Sequence, residues 1–183
     1  MMKRRTFVLS TLSALAIPNV AFAHKEFKID EKYLPQSVRF SGFEIGTVVV
    51  DPANKFLYLI TSKTRARRYG VGVGRAGLAW KGKATVGRKA EWPRWTPTKN
   101  MIRREPGKYA RFAKGVPGGI NNPLGARALY LYRNGRDTLY RIHGTTQPWT
   151  IGKAISNGCI RLVNEHVEDL YKRVPVGAQV IVL

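Results

Sequence analysis

The run ALYLYRNGRDTLYRIHG, residues 128–144, places two strand-like segments on either side of Asn134-Gly135. Asn-Gly is the dipeptide that a two-residue type I′ turn favours, because both central residues need positive φ. The run therefore predicts a β-hairpin whose second strand ends at His143-Gly144. Upstream, GTVVVD and FLYLIT flank the turn PANK and predict a second hairpin, Thr47–Asp51 with Phe56–Thr61. RRYGVGVG (67–74) reads as a continuation of the sheet. Residues 75–125 are rich in Gly, Pro and Trp and show no regular pattern; a loop that long in a compact domain signals function or an unread element. Downstream, Val163, Val167, Leu170, Tyr171 and Val174 recur at helical spacing, with Asn164 as cap and acidic residues ahead of Lys172 and Arg173. PVGAQVIVL then predicts a turn and a C-terminal strand. The fold expected is a mostly β domain with one helix after residue 159.

At 183 residues the chain suits one domain with a short appendage, and 44% hydrophobic and 23% charged residues exclude wholesale disorder. Residues 1–23 read as an export signal: a basic MMKRR, an apolar run too short to span a bilayer, and a small-x-small site, Ala21-Phe22-Ala23. Arg4-Arg5 fits a twin-arginine signal. No cysteine follows the apolar run, which argues against a lipid anchor. The expectation is a periplasmic or otherwise exported chain, mature from about His24, with no stable membrane insertion after cleavage. Residues 24–45 read as an N-terminal arm and entry to the domain, and 46–183 as the domain itself.

The signal carries three basic residues and no acidic one, so the mature chain keeps +18 of the formal +21. Such a charge attracts polyanions. Inside a cell that would point to nucleic acid; in an exported chain it points to acidic envelope polymers, and no nucleic-acid partner is expected.

The chain has one cysteine, Cys159, in AISNGCIRLV (154–163). An internal disulfide is impossible, and the three histidines and one cysteine lack metal-ligand spacing, so no metal or other cofactor is expected. Gly72-Val-Gly-Arg-Ala-Gly77 matches GxGxxG, but no helix opening follows, so a dinucleotide site is rejected. A thiol of ordinary pKa needs a histidine or positive charge beside it to act as nucleophile. His143 closes a strand sixteen positions earlier, and Arg161 shares a face with Cys159 if the backbone there is extended. Asn157-Gly158 is a natural tight turn whose N–H groups suit an oxyanion hole. Together with Ser156, these residues point to a Cys–His acyl-transfer site.

At these residues the chain closely resembles the L,D-transpeptidase (YkuD-like) catalytic domain. The resemblance rests on His143-Gly144 and on Ser156-Asn157-Gly158-Cys159-Ile160-Arg161, and extends through NPLGARAL, IGKAISNGCIRL and the block from VGVGRAG to MIRREPG. One departure is Asn157, where many members have histidine. The resemblance implies a β-sandwich-like fold and a reaction on peptidoglycan stem peptides. Cys159 would attack the third residue of a tetrapeptide, releasing D-Ala and leaving a thioester. An amine then takes the acyl group, giving a 3→3 cross-link or an attached envelope protein; water would make the enzyme an L,D-carboxypeptidase. By the same resemblance His143 is base and then acid, Gly158 supplies an oxyanion N–H, and Ser156 and Arg161 shape the site. Gly144, Asn157, Trp92, Trp95 and Trp149 are candidate substrate contacts, with Trp80 a further candidate wall. A non-catalytic cell-wall-binding module on the same fold is the alternative.

Overall fold

The computed structural model describes residues 27–183, so the expected leader lies outside the described residues. Nine strands hydrogen-bond into one mixed sheet in the order β1 (Gln36–Arg39), β4 (Arg65–Gly70), β3 (Phe56–Ile60), β2 (Val48–Asp51), β11 (Gln179–Val182), β6 (Gly82–Glu91), β7 (Arg127–Arg133), β8 (Arg136–His143) and β10 (Ile160–Arg161). β11 runs parallel to β2 and β10 parallel to β8; the other neighbours are antiparallel. A small parallel pair joins β5 (Val73–Gly74) to β9 (Ala154–Ser156). Helices α1 (Lys99–Arg104) and α2 (Pro106–Tyr109) are short, and α3 (Asn164–Arg173) is the longest.

Both predicted hairpins form. β7 and β8 turn at Asn134 (φ 50°) and Gly135 (φ 72°), the positive pair a type I′ turn demands. β2 and β3 pair from Val48↔Leu59 to Asp51↔Phe56.

Just beyond β4, Gly72 exchanges two backbone hydrogen bonds with Arg161 of β10, at 2.9 and 2.8 Å. β4 lies second from one end of the sheet and β10 forms the other end. The sheet therefore curls until its ends meet, which gives it the sandwich-like character expected. Val48, Val50 and Leu57 from one half share a single core with Leu129, Leu131 and Ile142 from the other, closed by Val167, Leu170 and Val174 of α3 and its exit. Each such side chain contributes about 1.5–3 kcal/mol by leaving water, enough to fix β8 and β10 side by side. On the opposite face Val49, Ile60 and Ala66 lie under Phe40, Phe43 and Tyr58. Residues 27–45, read as an arm and entry, contribute edge strand β1, and Tyr33 packs tilted on Phe56 at 5.8 Å.

Two readings are corrected. The patternless stretch 75–125 contains β6, a ten-residue strand in the interior of the sheet between β11 and β7. Its core face shows only Ala84 and Val86, with Gly, Lys and Arg between, so the period-2 signal is too faint to read. Asn164 does not cap α3: Val163 holds the cap position, and the Asn164 Oδ1 instead accepts from the N–H groups of Ala126 (3.1 Å) and Thr145 (3.2 Å). It pins the start of β7 to the loop that follows His143.

Candidate active site

β10 lies parallel to β8 with Ile160 opposite Ile142 and Arg161 opposite His143. Alternation along a strand puts Cys159 on the face of Arg161, and the register puts His143 there too. Sixteen positions of sequence are thereby reduced to neighbouring strands. Cys159, His143 and Arg161 line a cleft of about 520 Å³ together with Ser156, Asn157 and Trp95. The residues 95–124, including α1 and α2, cover it.

His143 is buried, and its Nδ1 lies 2.5 Å from the Gly144 carbonyl oxygen. A carbonyl only accepts, so Nδ1 carries the proton and Nε2 is left with the lone pair. Burial, then the charge of Arg161, pushes the imidazole pKa from 6.5 to about 3, against hydrogen bonds to Gly144 and Leu124 that favour the cation. The ring is neutral at pH 7. Cys159 is half-buried, and burial pushes its thiol up from the usual value despite the Arg141 N–H and the charges of Arg141 and Arg161. The resting pair is thus a thiol beside a neutral imidazole, not a preformed ion pair.

The turn before the thiol is held by Ser156, whose hydroxyl donates to the Cys159 carbonyl (2.6 Å) and accepts from the Gly158 N–H (3.1 Å). Gly158 has φ +117°, and a Cβ there would meet Tyr140 Cε1 at 2.5 Å and the Leu78 carbonyl oxygen at 2.7 Å. Only glycine fits. The expected oxyanion donor is affected: the Gly158 N–H already has an acceptor.

Sequence reasoning missed the other support of the thiol. Between Asp137 and Arg141, β8 bulges against β7, and Leu139 takes φ 64°. Asp137 grips Arg141 through two charge-assisted bonds (2.7 and 2.8 Å) and caps the Leu139 N–H (2.8 Å). The bulge brings the Leu139 carbonyl within 4.0 Å of the Cys159 sulfur. Asp137 and Arg141 stand four apart beside a hairpin turn, and nothing in that spacing announces a bulge.

Asn157, at the departure from the family pattern, donates from Nδ2 to the Tyr109 hydroxyl (2.8 Å), and Arg104 approaches its Oδ1 at 3.4 Å. It ties the turn that carries Cys159 to the cover. Of the tryptophans, Trp95 enters the cleft wall, edge-on to Tyr109 and Phe112. Trp92 and Trp149 do not line the cleft; they lie at the surface, 42% and 51% exposed. Trp80 stacks on Tyr140 at the rim of the core. Gly144 acts on His143 through its carbonyl rather than lining the cleft. Among the described residues no cluster of three or more His, Cys, Asp or Glu could hold a metal, and no helix is long and apolar enough to cross a membrane.

A curled mixed sheet carries a histidine at the end of β8 and a cysteine just before the parallel β10, and the comparisons name the class. Residues 45–182 match the YkuD model, the L,D-transpeptidase catalytic domain, and the chain belongs to that family. It is 36% identical over 154 residues to the probable L,D-transpeptidase ErfK/SrfK of Escherichia coli (strain K12), covering 82% of this chain and 46% of that protein. This chain thus spans less than half the length of that curated relative. Among solved structures, a Brucella melitensis protein described as a probable carnitine operon oxidoreductase, caia, is 57% identical with a TM-score of 0.59, covering 85% of this chain and 96% of that one. That description belongs to the Brucella protein; the family assignment here rests on the matches to L,D-transpeptidases. An L,D-transpeptidase from Mycobacterium smegmatis shares the fold at 19% identity and a TM-score of 0.51, covering 75% of this chain and 58% of that one.

Proposed function

We propose that the protein is an exported L,D-transpeptidase, matured near His24, that acts on peptidoglycan tetrapeptide stems with residues 46–183 as its catalytic domain. The observation that carries this reading is the 2.5 Å contact of the buried His143 Nδ1 with the Gly144 carbonyl, on the strand paired with β10: a proton held on Nδ1 there leaves Nε2 as the base for Cys159. When a stem enters, Nε2 takes the Cys159 proton and the sulfur attacks the carbonyl carbon of the third residue. The oxyanion is met by the Cys159 N–H, since Ser156 engages that of Gly158. The C–N bond breaks, D-Ala leaves as an amine with the proton from Nε2, and a thioester remains. An acceptor amine then attacks the thioester, gives its proton to Nε2, and Cys159 leaves as a thiol carrying that proton. The acceptor is a second stem's side chain, yielding a 3→3 cross-link, or an amine of an envelope protein; water would yield a tripeptide. Burial raises the cost of separating charge in the resting pair, so proton transfer accompanies attack rather than preceding it.

Mass spectrometry of the protein incubated with tetrapeptide muropeptides tests the reading. The expected result is an acyl adduct on Cys159 with release of D-Ala, lost in Cys159→Ala and reduced at least 100-fold in His143→Ala. Undiminished D-Ala release by Cys159→Ala would overturn it.

A further inference from the structure

The cleft lining contains Arg104, Lys108, Arg111 and Arg161 and neither aspartate nor glutamate. Lys108 and Arg75 share Glu105, at 3.6 and 2.8 Å. Arg104, Arg111 and Arg161 form no salt bridge with any described residue. Arg161 is more costly to leave so, because its Nε is buried with no hydrogen-bond partner. Arg104 and Arg111 are solvated on the cover, but neither is loose: Arg104 reaches Asn157 beside the nucleophile, and Arg111 lies over the Phe112 ring at 4.6 Å. A concave surface lined by one sign of charge concentrates its field on whatever enters. An arginine fork matches a carboxylate through two parallel hydrogen bonds.

We propose that the cover cations Arg104 and Arg111, which line the same cleft as Arg161, select an acyl donor whose side carboxylates are free, so that the enzyme discriminates carboxylate stems from stems in which those groups are carboxamides. The proposal rests on the stem-peptide reading above. Two features make it specific to the cover. Three cleft arginines without a carboxylate partner favour a ligand with more than one anionic group, which a chain with only its terminal carboxylate does not supply. The uncharged remainder of the lining, Trp95, Tyr109, Phe112 and Leu124, suits a peptide backbone and its alkyl stems rather than a densely charged polyanion.

Two synthetic tetrapeptide stems, identical except that the side carboxylates of one are carboxamides, are compared by D-Ala release and by calorimetric binding to Cys159→Ala. The carboxylate stem is expected to have at least a ten-fold higher kcat/KM, carried mainly by KM, and at least a ten-fold lower Kd. In Arg104→Gln/Arg111→Gln both ratios fall to about two, and the salt dependence of binding weakens. Equal Kd values for the two stems, or a ratio unchanged in the double variant, would overturn the selectivity whether or not the stems are turned over. Tight, selective binding with no D-Ala release would uphold the selectivity while sinking the transpeptidase reading, so the two failures are distinguishable.

Discussion

His143 ends β8 and Cys159 immediately precedes β10, two strands whose backbones are paired residue by residue, over a core of fully buried Ile142 and Leu162. Arg104 and Arg111, which line the same cleft, stand on or beside helices of six and four residues, whose one buried side chain is Tyr109. Helices that short are not stable alone. Their place is set by a few ties: Thr98 capping the Met101 N–H (3.2 Å), the exchanged bonds of Trp95 and Val116 (3.0 and 2.7 Å), and Asn157 on Tyr109. The difference teaches where each task sits. Under the proposed function, bond making, which needs fixed geometry, would sit on the floor, and admission of a long, charged substrate, which needs a part that can yield, would sit on the cover.

The largest expected contrast comes from adding one methyl group on each side. Gly158→Ala forces a Cβ into Tyr140 and the Leu78 carbonyl at φ +117°. It should cost about 2–5 kcal/mol, combining backbone strain with overpacking, and abolish turnover. Gly107→Ala on the cover meets nothing within 4 Å, and should stay within about 0.5 kcal/mol of the parent. Urea unfolding checks both. Equal midpoints for the two variants would break the division between a rigid floor and a yielding cover.

A smaller effect separates the two by pH. His143 is held neutral down to about 3 when folded, against an ordinary value near 6.5 when unfolded. Between those values the unfolded chain binds a proton that the folded chain refuses. Stability therefore falls as pH drops from about 6.5 to 3, by up to about 1.4 kcal/mol per pH unit, and His143 contributes no slope above that window. His143→Gln should remove that part of the slope, whereas Arg104→Gln should leave it, since arginine does not titrate there. The measurement is the unfolding free energy from pH 7 to 4 for the three proteins. A parent and His143→Gln with identical slopes would mean that the imidazole is not held neutral.

The floor was largely legible in the sequence and the cover was not, for the same physical reason. Asn134-Gly135 dictates a turn through its own backbone preferences, and Val48 to Val50, Leu57 and Leu59 announce a sheet by composition. Cys159, His143 and Arg161 stand out by their chemistry. Their juxtaposition came with the resemblance, because the β8–β10 pairing is a contact between strands separated in sequence. β6 was hidden by Gly82, Lys83, Gly87, Arg88 and Lys89, residues that elsewhere mark loops. On the cover, α1 and α2 carry no amphipathic period, since each is held by tertiary ties. Trp92 and Trp149 illustrate the limit: a tryptophan in a Pro/Gly-rich loop has the composition of a cleft wall, but only Trp95 has the position. Asn164 shows the same thing in reverse, a residue with the composition of a helix cap that is used to fasten two loops.

The smallest effect is expected where floor and cover touch. Asn157 is the side chain next to the nucleophile's turn that reaches Tyr109 and Arg104. The Tyr109 bond is neutral and partly buried, worth about 0.5–1.5 kcal/mol, and the 3.4 Å contact to Arg104 adds little. Asn157→Ala should therefore leave the unfolding midpoint nearly unchanged, because neither the core nor the β8–β10 ladder depends on it. Its effect should appear as faster amide exchange over residues 99–112 with exchange over 141–162 unaltered, and as a fall of no more than about ten-fold in kcat/KM. Asn157→His, which introduces the residue that the family resemblance leads one to expect there, should recover the protection by donating its ring N–H to the Tyr109 hydroxyl. Faster exchange on both sides of the cleft in Asn157→Ala would show that the floor leans on the cover, and the separation of rigid chemistry from yielding recognition would fail at the point where the two are joined.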